Sequence, residues 1–218
     1  VIAARDQKKT ERSVERLKTQ NAFAMGISVD VANEDSVIAM IDLTIKEKGR
    51  VDILVNNAGI GIRKQPQELT EEEWDRVVNI NLKGAFLPSK AVYPHMVSLG
   101  GGKIINIGSM TSVFGLDWAA PYSATKGGVV QLAKTLAVAW AKDNIQVNTI
   151  LPGWIRTDLT ATIETKFPER HKLISSRIPA GRWGTPDDFA GVAIFLASRA
   201  SNYLTGASIP VDGGYTSF

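Results

Sequence analysis

The sequence predicts an α/β fold in which a doubly wound parallel sheet carries helices on both of its faces. Short apolar runs alternate with amphipathic segments along the whole chain. The apolar runs are continuous, which is typical of parallel strands that are buried on both faces. The 218 residues contain no internal repeat and no linker, so we expect a single domain over residues 1–218.

The predicted strands are short, and each ends at polar or small residues. They lie at 1–4, 23–29, 51–55, 103–107, 145–150 and 207–211. Helices are predicted between them: at 7–20, around an apolar face of Val37, Met40, Ile41 and Ile45, over 70–98 after the N-cap Thr70, from about 121, and from near Pro186.

The stretch 153–185 is the one long segment without a clear period. An irregular segment of this length in a compact domain is usually functional or disordered. It leaves the carboxyl end of a predicted strand, which is where ligands bind in open α/β sheets. We therefore predict a substrate lid at 153–185.

Composition excludes several kinds of site and partner. The net charge of +3 is small and the basic residues are scattered, so nucleic acid is not an expected partner. Without cysteine there is no thiolate chemistry, and with His95 and His171 far apart we expect no metal site. No apolar run is long enough to span a bilayer, so no membrane association and a cytoplasmic location are expected.

Polar residues that suit acid–base chemistry surround the predicted helix that begins near 121. Tyr122 and Lys126 are four residues apart and share one helix face, so the lysine charge should help to lower the tyrosine pKa. Ser109 follows the strand at 103–107, where its hydroxyl could bind a substrate oxygen. Asn81 lies within an amphipathic helix and, if buried, needs a partner such as a backbone group, a water or Lys126.

Several longer motifs together resemble the short-chain dehydrogenase/reductase family. They are NNAG at 56–59, NINLKG at 79–84, INIGS at 105–109, PYSATKGG at 121–128, LPGWIRTD at 151–158 and the final GASIPVDGG. The resemblance covers essentially the whole chain. It implies a Rossmann-type fold and hydride transfer between a nicotinamide cofactor and a secondary alcohol or ketone.

The resemblance also implies roles for individual residues. Tyr122 would be the general acid/base, Ser109 would polarise the substrate oxygen, Lys126 would lower the tyrosine pKa and bind the ribose, and Asn81 would hold a water of the proton relay. The implied cofactor-binding set, beyond Tyr122 and Lys126, is Arg5, Asp30, Val31, Asn57, Ala58, Gly59, Pro152, Gly153, Ile155 and Thr157.

The first residues bear on the choice of cofactor. The family's first strand and Gly-rich turn do not precede Val1, and we expect about 30–40 further N-terminal residues in the functional polypeptide, the size of one βα unit. By the same resemblance, residues 1–4 correspond to the second strand of the family's fold. Relatives that prefer NAD carry an acidic residue at the end of that strand. Ala4 stands there and Arg5 follows, which favours NADP, while Asp6 leaves NAD possible.

The motifs are most similar to the sugar-acid branch of the family, which includes gluconate 5-dehydrogenase and 2-deoxy-gluconate 3-dehydrogenase. Arg63 could pair with a sugar-acid carboxylate, and Trp118 and Trp154 could stack on a sugar or wall the pocket. The alternatives are a 3-oxoacyl-acyl-carrier-protein reductase, another ketone or sugar reductase, and an inactive relative that serves as an oligomer partner. The resemblance also implies a homotetramer, packed through the helices at 70–98 and 121–142.

Overall fold

The computed structural model describes residues 1–20 and 22–217 and confirms the alternation of strands and helices. The strands are β1 (Ile2–Ala4), β2 (Gly26–Ser28), β3 (Ile53–Asn56), β4 (Gly102–Ile107), β5 (Ile145–Pro152) and β6 (Ser208–Val211). The helices are α1 (Gln7–Lys18), α2 (Glu34–Lys48), α3 (Glu71–Val78), α4 (Gly84–Ser98), α5 (Ala120–Trp140), α6 (Ala161–Lys166), α7 (Pro168–Ser176) and α8 (Ala190–Ala197).

All strand pairs are parallel, and the described strands form two sheets. β1 pairs with β2, and a four-stranded sheet has the order β3-β4-β5-β6. Among the described residues β3 has β4 as its only strand partner, and its side chains Ile53 and Val55 are exposed. The larger sheet keeps every strand pointing the same way, so the carboxyl ends of β3, β4 and β5 meet at one edge.

Two apolar cores cover opposite faces of the sheet. Ile104 and Val147 belong to the core beneath α2, α4 and α5, whereas Ile105 and Ile150 pack with Leu196 of α8. Because neighbouring side chains of a strand point to opposite faces, this alternation confirms helices on both sides of the sheet.

The predicted helix over 70–98 is divided into three parts. Thr70 caps α3 in a capping box with Glu73, as the sequence indicated. One turn of π-helix, Asn79–Lys83, then separates α3 from α4. Such turns place an extra residue in the helix and are frequent at functional sites.

The stretch 153–185 is not irregular, and that expectation was wrong. It contains the short helices α6 and α7, which together with the turn up to Trp183 we call the lid segment. Ile163, Ile174 and Trp183 of this segment are buried in a third cluster with Trp154 and Tyr215. The segment is therefore packed against the body of the domain.

In the part of the chain that the structure describes, no helix combines the length and the apolar character required to cross a membrane.

Candidate active site

The candidate site lies where β3, β4 and β5 end. The loop after β3 carries Asn57, Ala58 and Gly59, Ser109 follows β4, and Gly153 follows β5. One cleft at this edge of the sheet is lined by Arg63, Ser109, Trp118, Tyr122, Gly153 and Trp154, among others. The fold thus brings together residues predicted for catalysis and for substrate binding that are up to 91 positions apart in the sequence (63 to 154).

Lys126 lies one turn after Tyr122 on α5, as their spacing predicted. Its Nζ is 5.7 Å from the centre of the Tyr122 ring and donates a hydrogen bond of 2.6 Å to the carbonyl oxygen of Ile107. The side chain is only 4% exposed, and burial lowers the pKa of its amine to about 8. Gly59 lies so close that a Cβ there would be 3.5 Å from the amine, which places the loop after β3 beside it.

The pKa of Tyr122 is raised, because burial disfavours the phenolate. The neighbouring Ser109 hydroxyl and the charge of Arg63 act in the opposite direction. The lowering by Lys126 that the sequence predicted is therefore not seen in this arrangement, since the ammonium is directed to Ile107 and burial dominates.

Asn81 occupies the π-helical turn and is 1% exposed. Its Oδ1 accepts a hydrogen bond of 2.8 Å from the N–H of Ile60, and its Nδ2 donates to the Ile60 carbonyl at 2.9 Å and to Thr125 Oγ1 at 3.2 Å. Of the partners predicted for a buried asparagine, the backbone is the one found. These bonds fix the loop after β3 against α5.

The Ser109 hydroxyl is held by the turn that follows it. Its Oγ accepts a hydrogen bond from the N–H of Thr111, and its own N–H donates to Ser112 Oγ. Ser112 in turn donates to the carbonyl oxygen of Lys126 at 2.8 Å. This chain of bonds ties Ser109 to the helix that carries Tyr122 and Lys126.

The predicted adenosine side of the site begins after β2. Asp30 Oδ1 accepts a hydrogen bond from the N–H of Ala32 at 3.0 Å, and the Asp30 N–H donates to Ser36 Oγ. Val31 packs on Gly84 so closely that a Cβ at position 84 would lie 2.7 Å from its Cγ2. Arg5 is exposed directly after β1, and the Asp6 carboxylate caps α1 by accepting from the N–H of Lys9.

The predicted nicotinamide side follows Pro152 at the end of β5. Gly153 approaches Asp212 so closely that a Cβ would lie 2.6 Å from the Asp212 Cα, and Ile155 forms a parallel bridge to Gly184. The Thr157 N–H donates to Thr160 Oγ1 at 3.1 Å. These contacts set the path of the chain from β5 into the lid segment.

Aromatic side chains wall the cleft on the side of the lid segment. Trp118 and Trp154 have ring centres 6.4 Å apart, and Trp154 is 5.4 Å from Trp183. Arg63 donates hydrogen bonds to Thr162 Oγ1 at 3.1 Å and to the Leu159 carbonyl. Arg63 and both tryptophans therefore lie at the cleft, as the sequence predicted.

In the described residues no cluster of three or more His, Cys, Asp or Glu side chains is placed to hold a metal ion.

Sequence reasoning missed three side chains that shape this site. Thr125 binds Asn81, Ser112 links Ser109 to Lys126, and Arg170 of α7 lies with its Cζ 5.0 Å from the centre of the Trp118 ring. Thr125 and Ser112 lie within or beside motifs that the sequence analysis had already singled out. Arg170 lies in a short polar segment and gave no signal.

The comparisons with known proteins agree with this geometry. A family profile described as enoyl-(acyl carrier protein) reductase matches residues 1–216. The 2-dehydro-3-deoxy-D-gluconate 5-dehydrogenase of Escherichia coli (strain K12) is 41% identical over 204 residues, which are 93% of this chain and 80% of that protein. The 3-oxoacyl-[acyl-carrier-protein] reductase of Thermotoga maritima is 40% identical over 187 residues, 85% of this chain and 74% of that protein.

A solved structure gives the same result at the level of the fold. The gluconate 5-dehydrogenase from Burkholderia cenocepacia J2315, crystallised in complex with NADP and tartrate, superposes with a TM-score of 0.94 and 39% sequence identity. The match covers 100% of this chain and 85% of that one. With its Rossmann-type fold, a family profile that matches residues 1–216 and relatives about 40% identical over most of its length, the chain belongs to the short-chain dehydrogenase/reductase family of oxidoreductases.

Proposed function

We propose that this protein transfers a hydride between a nicotinamide cofactor, NADP in preference to NAD, and a secondary alcohol or keto carbon of a sugar acid such as gluconate or 2-deoxygluconate. The observation that carries the proposal is the shared cleft of Ser109, Tyr122 and Arg63. This cleft supports the proposal because the proposed acid–base group, Tyr122, and a cation that could bind a carboxylate, Arg63, line the same small volume.

The cleft supplies the groups that this reaction requires from the protein. Tyr122 would give its proton to the carbonyl oxygen in reduction and would take it back from the hydroxyl in oxidation. Ser109, tied to the same helix through Ser112, would donate a hydrogen bond to that oxygen. Asn81 would hold the proton path in place through its bonds to Ile60 and Thr125.

The residues fit a nicotinamide cofactor at its ribose. The buried Lys126 amine uses one hydrogen bond, to Ile107, so within residues 1–20 and 22–217 its other N–H groups are left for ribose hydroxyls. Asn57–Gly59 and Pro152–Thr157 border this point from β3 and β5. When bound, the cofactor supplies or accepts the hydride, while the proton is handled by the side chains.

Preference for NADP is supported at the other end of the site. The Arg5 guanidinium is exposed after β1 and has no carboxylate partner among the described ion pairs, so it is available for a 2′-phosphate. Asp6, the residue that kept NAD possible, is engaged as the N-cap of α1. NADP in the Burkholderia cenocepacia relative gives the same indication.

A 3-oxoacyl thioester is the second candidate substrate. The Thermotoga maritima reductase supports it at 40% identity, and the same acid–base residues would serve. Arg63 favours the sugar acid, because a thioester offers no carboxylate at the reacting end of the molecule.

The test uses the full-length polypeptide. We expect NADPH to bind with enhanced nicotinamide fluorescence and more tightly than NADH. Gluconate or 2-deoxygluconate should be oxidised with NADP faster than free sugars, and acetoacetyl thioesters should be reduced poorly. A reversed order would assign the thioester as the substrate.

The matched variants are Tyr122→Phe and Tyr203→Phe, since Tyr203 is fully exposed. Tyr122→Phe should reduce turnover by roughly 10² to 10⁴-fold with NADPH affinity nearly unchanged, and Tyr203→Phe should change neither. Turnover that persists in Tyr122→Phe would show that the proton passes through another group.

We further propose a homotetramer in the cytoplasm. Exposed apolar side chains on α4 and α5, Phe86, Val97 and Val138, support an assembly through these helices. Cell fractionation checks the location.

A further inference from the structure

Two arginines from different parts of the chain lie at one tryptophan beside the cleft. Arg63 belongs to the loop after β3, and its Cζ is 5.8 Å from the centre of the Trp118 ring. Arg170 belongs to α7, and its Cζ is 5.0 Å from the same ring centre. Trp118 lines the cleft together with Ser109 and Tyr122. Both guanidinium groups therefore lie near a side chain that lines the cleft.

The two arginines also connect the lid segment with the body in opposite directions. Arg63 reaches from the body to Leu159, just before the lid segment, and to Thr162 in α6. Arg170 reaches from the lid segment back to Trp118, just before α5. The position of α7 against Trp118 is thus linked to both positive charges.

Neither arginine is neutralised by the protein. The ion pairs among the described residues involve other side chains, and neither Arg63 nor Arg170 has a carboxylate within 4.0 Å. Burial lowers the pKa of Arg63, Tyr122 opposes this effect, and the charge of Arg170 adds to it. Two like charges held near one half-buried ring repel each other unless an anion lies near them.

We propose that Arg170 is a specificity-determining residue, which with Arg63 forms the receptor for the substrate's carboxylate. The inference rests on the proposed sugar-acid function and deepens it. An acid bound at Trp118 would offset the repulsion between the guanidiniums and would hold α7 against Trp118 at the edge of the cleft. A neutral polyol would gain neither effect, so the protein would distinguish acids from neutral analogues through the lid segment.

The test compares gluconate with gluconamide, a neutral analogue of similar size, on the full-length protein with NADP. Arg170→Gln removes the charge, and Arg170→Met removes it while an apolar side chain still covers Trp118. Each should raise the KM for gluconate by about tenfold or more, the usual weight of a charged hydrogen bond, and should change that for gluconamide less than about twofold.

Arg177→Gln is the matched control. Arg177 follows α7 and lies over a different ring, with its Cζ 4.7 Å from the centre of Tyr215. The variant removes one positive charge and one cation–π contact directly after α7, within the same segment, and it should leave the preference for the acid unchanged. The inference would be overturned if Arg170→Gln changed the KM values for gluconate and gluconamide equally, or changed neither. It would also be overturned if Arg177→Gln raised the KM for gluconate as much as Arg170→Gln does.

Failure of the proposed function gives a different result. In that case the unmodified protein itself would not oxidise gluconate. If only the Arg170 assignment fails, the unmodified protein still oxidises gluconate, and the Arg170 variants show no selective rise in the KM for gluconate over gluconamide. If Arg170→Gln does not fold, as judged by circular dichroism, Arg170→Met answers the same question.

Discussion

Burial decides what the side chains of the candidate site can do. The buried Lys126 amine, which donates a hydrogen bond to the carbonyl oxygen of Ile107, has a pKa of about 8 instead of 10.5. Burial likewise raises the pKa of Tyr122, although Ser109 and Arg63 oppose it. A substrate carboxylate bound at Arg63 would offset the charge of that arginine, would raise the pKa of Tyr122 further and would keep its phenol protonated. Burial in the site therefore disfavours the charged forms of both Lys126 and Tyr122.

The first residue-scale prediction is that Lys126→Met abolishes turnover and stabilises the folded chain. The folded state binds the lysine proton more weakly than the unfolded state, so protonation opposes folding. This penalty is complete below about pH 8 and disappears as the pH rises toward 10.5. The shift corresponds to roughly 3 kcal/mol, from which the lost hydrogen bond to Ile107 subtracts about 1–2 kcal/mol.

The measurement is thermal unfolding at pH 7 and pH 10. We expect the melting temperature of the variant to exceed that of the unmodified protein by a few degrees at pH 7, and the difference to shrink at pH 10. Lys134→Met, an exposed position on the same helix, should show no such pH dependence. A variant that is less stable at pH 7 would contradict the prediction.

Individual residues were predicted well where a local rule applied. Four-residue spacing on a helix put Tyr122 and Lys126 on one face, and the burial of Asn81 required a partner. Ile60 as that partner could not be predicted, because it lies 21 positions away and is brought there by the path of β3. The direction of the Tyr122 pKa shift was missed for the same reason, since burial is a property of the folded molecule.

At the scale of elements, the lid segment shows the limits of periodicity. α6 and α7 each bury one isoleucine, Ile163 and Ile174, and one contact per short helix leaves no apolar period in the sequence. The π-helical turn at Asn79–Lys83 gave no signal either, because it differs from an α-helix only in its hydrogen bonds. In contrast, α3 was predicted to start after Thr70 because its capping residues are local.

The prediction at this scale is that Ile174→Ala loosens the lid segment selectively. Ile174 is 6% exposed and packs in the cluster with Trp154 and Trp183. Its truncation leaves a cavity that costs about 2–5 kcal/mol, and we expect the cost to appear mainly as local opening of residues 159–178. Hydrogen exchange in these residues should accelerate and the KM for the sugar acid should rise, with NADPH affinity nearly unchanged.

Leu173→Ala is the control for this variant. Leu173 is the preceding residue of α7, but its side chain is largely exposed. It should therefore change neither hydrogen exchange nor the KM. Uniform acceleration of exchange throughout the domain in Ile174→Ala would show that the segment does not open separately.

At the scale of the whole molecule, the alternation of strands and helices was sufficient to predict the fold. Continuous apolar strands separated by helices permit few arrangements other than a parallel sheet covered on both sides. The described strands form a two-stranded and a four-stranded sheet, and the side chains of Ile53 and Val55 on β3 are exposed. The four predicted catalytic residues depend on the larger sheet and the helices packed on it: Ser109 follows β4, Tyr122 and Lys126 lie on α5, and Asn81 lies in the π-helical turn before α4.

The assembly is tested most directly on the outer face of α5. Val138 is 83% exposed there, and Phe86 and Val97 form a similar apolar row on α4. If these faces meet across a two-fold axis, Val138→Glu brings two carboxylates into an apolar contact, where like charges are strongly unfavourable. We expect light scattering to show a tetramer for the unmodified protein and dimers or monomers for Val138→Glu.

Leu173→Glu is the control. Leu173 is an exposed residue of the lid segment, so this variant introduces the same charge away from α4 and α5 and should remain tetrameric. A Val138→Glu protein that keeps its full mass would place the interface elsewhere on the surface.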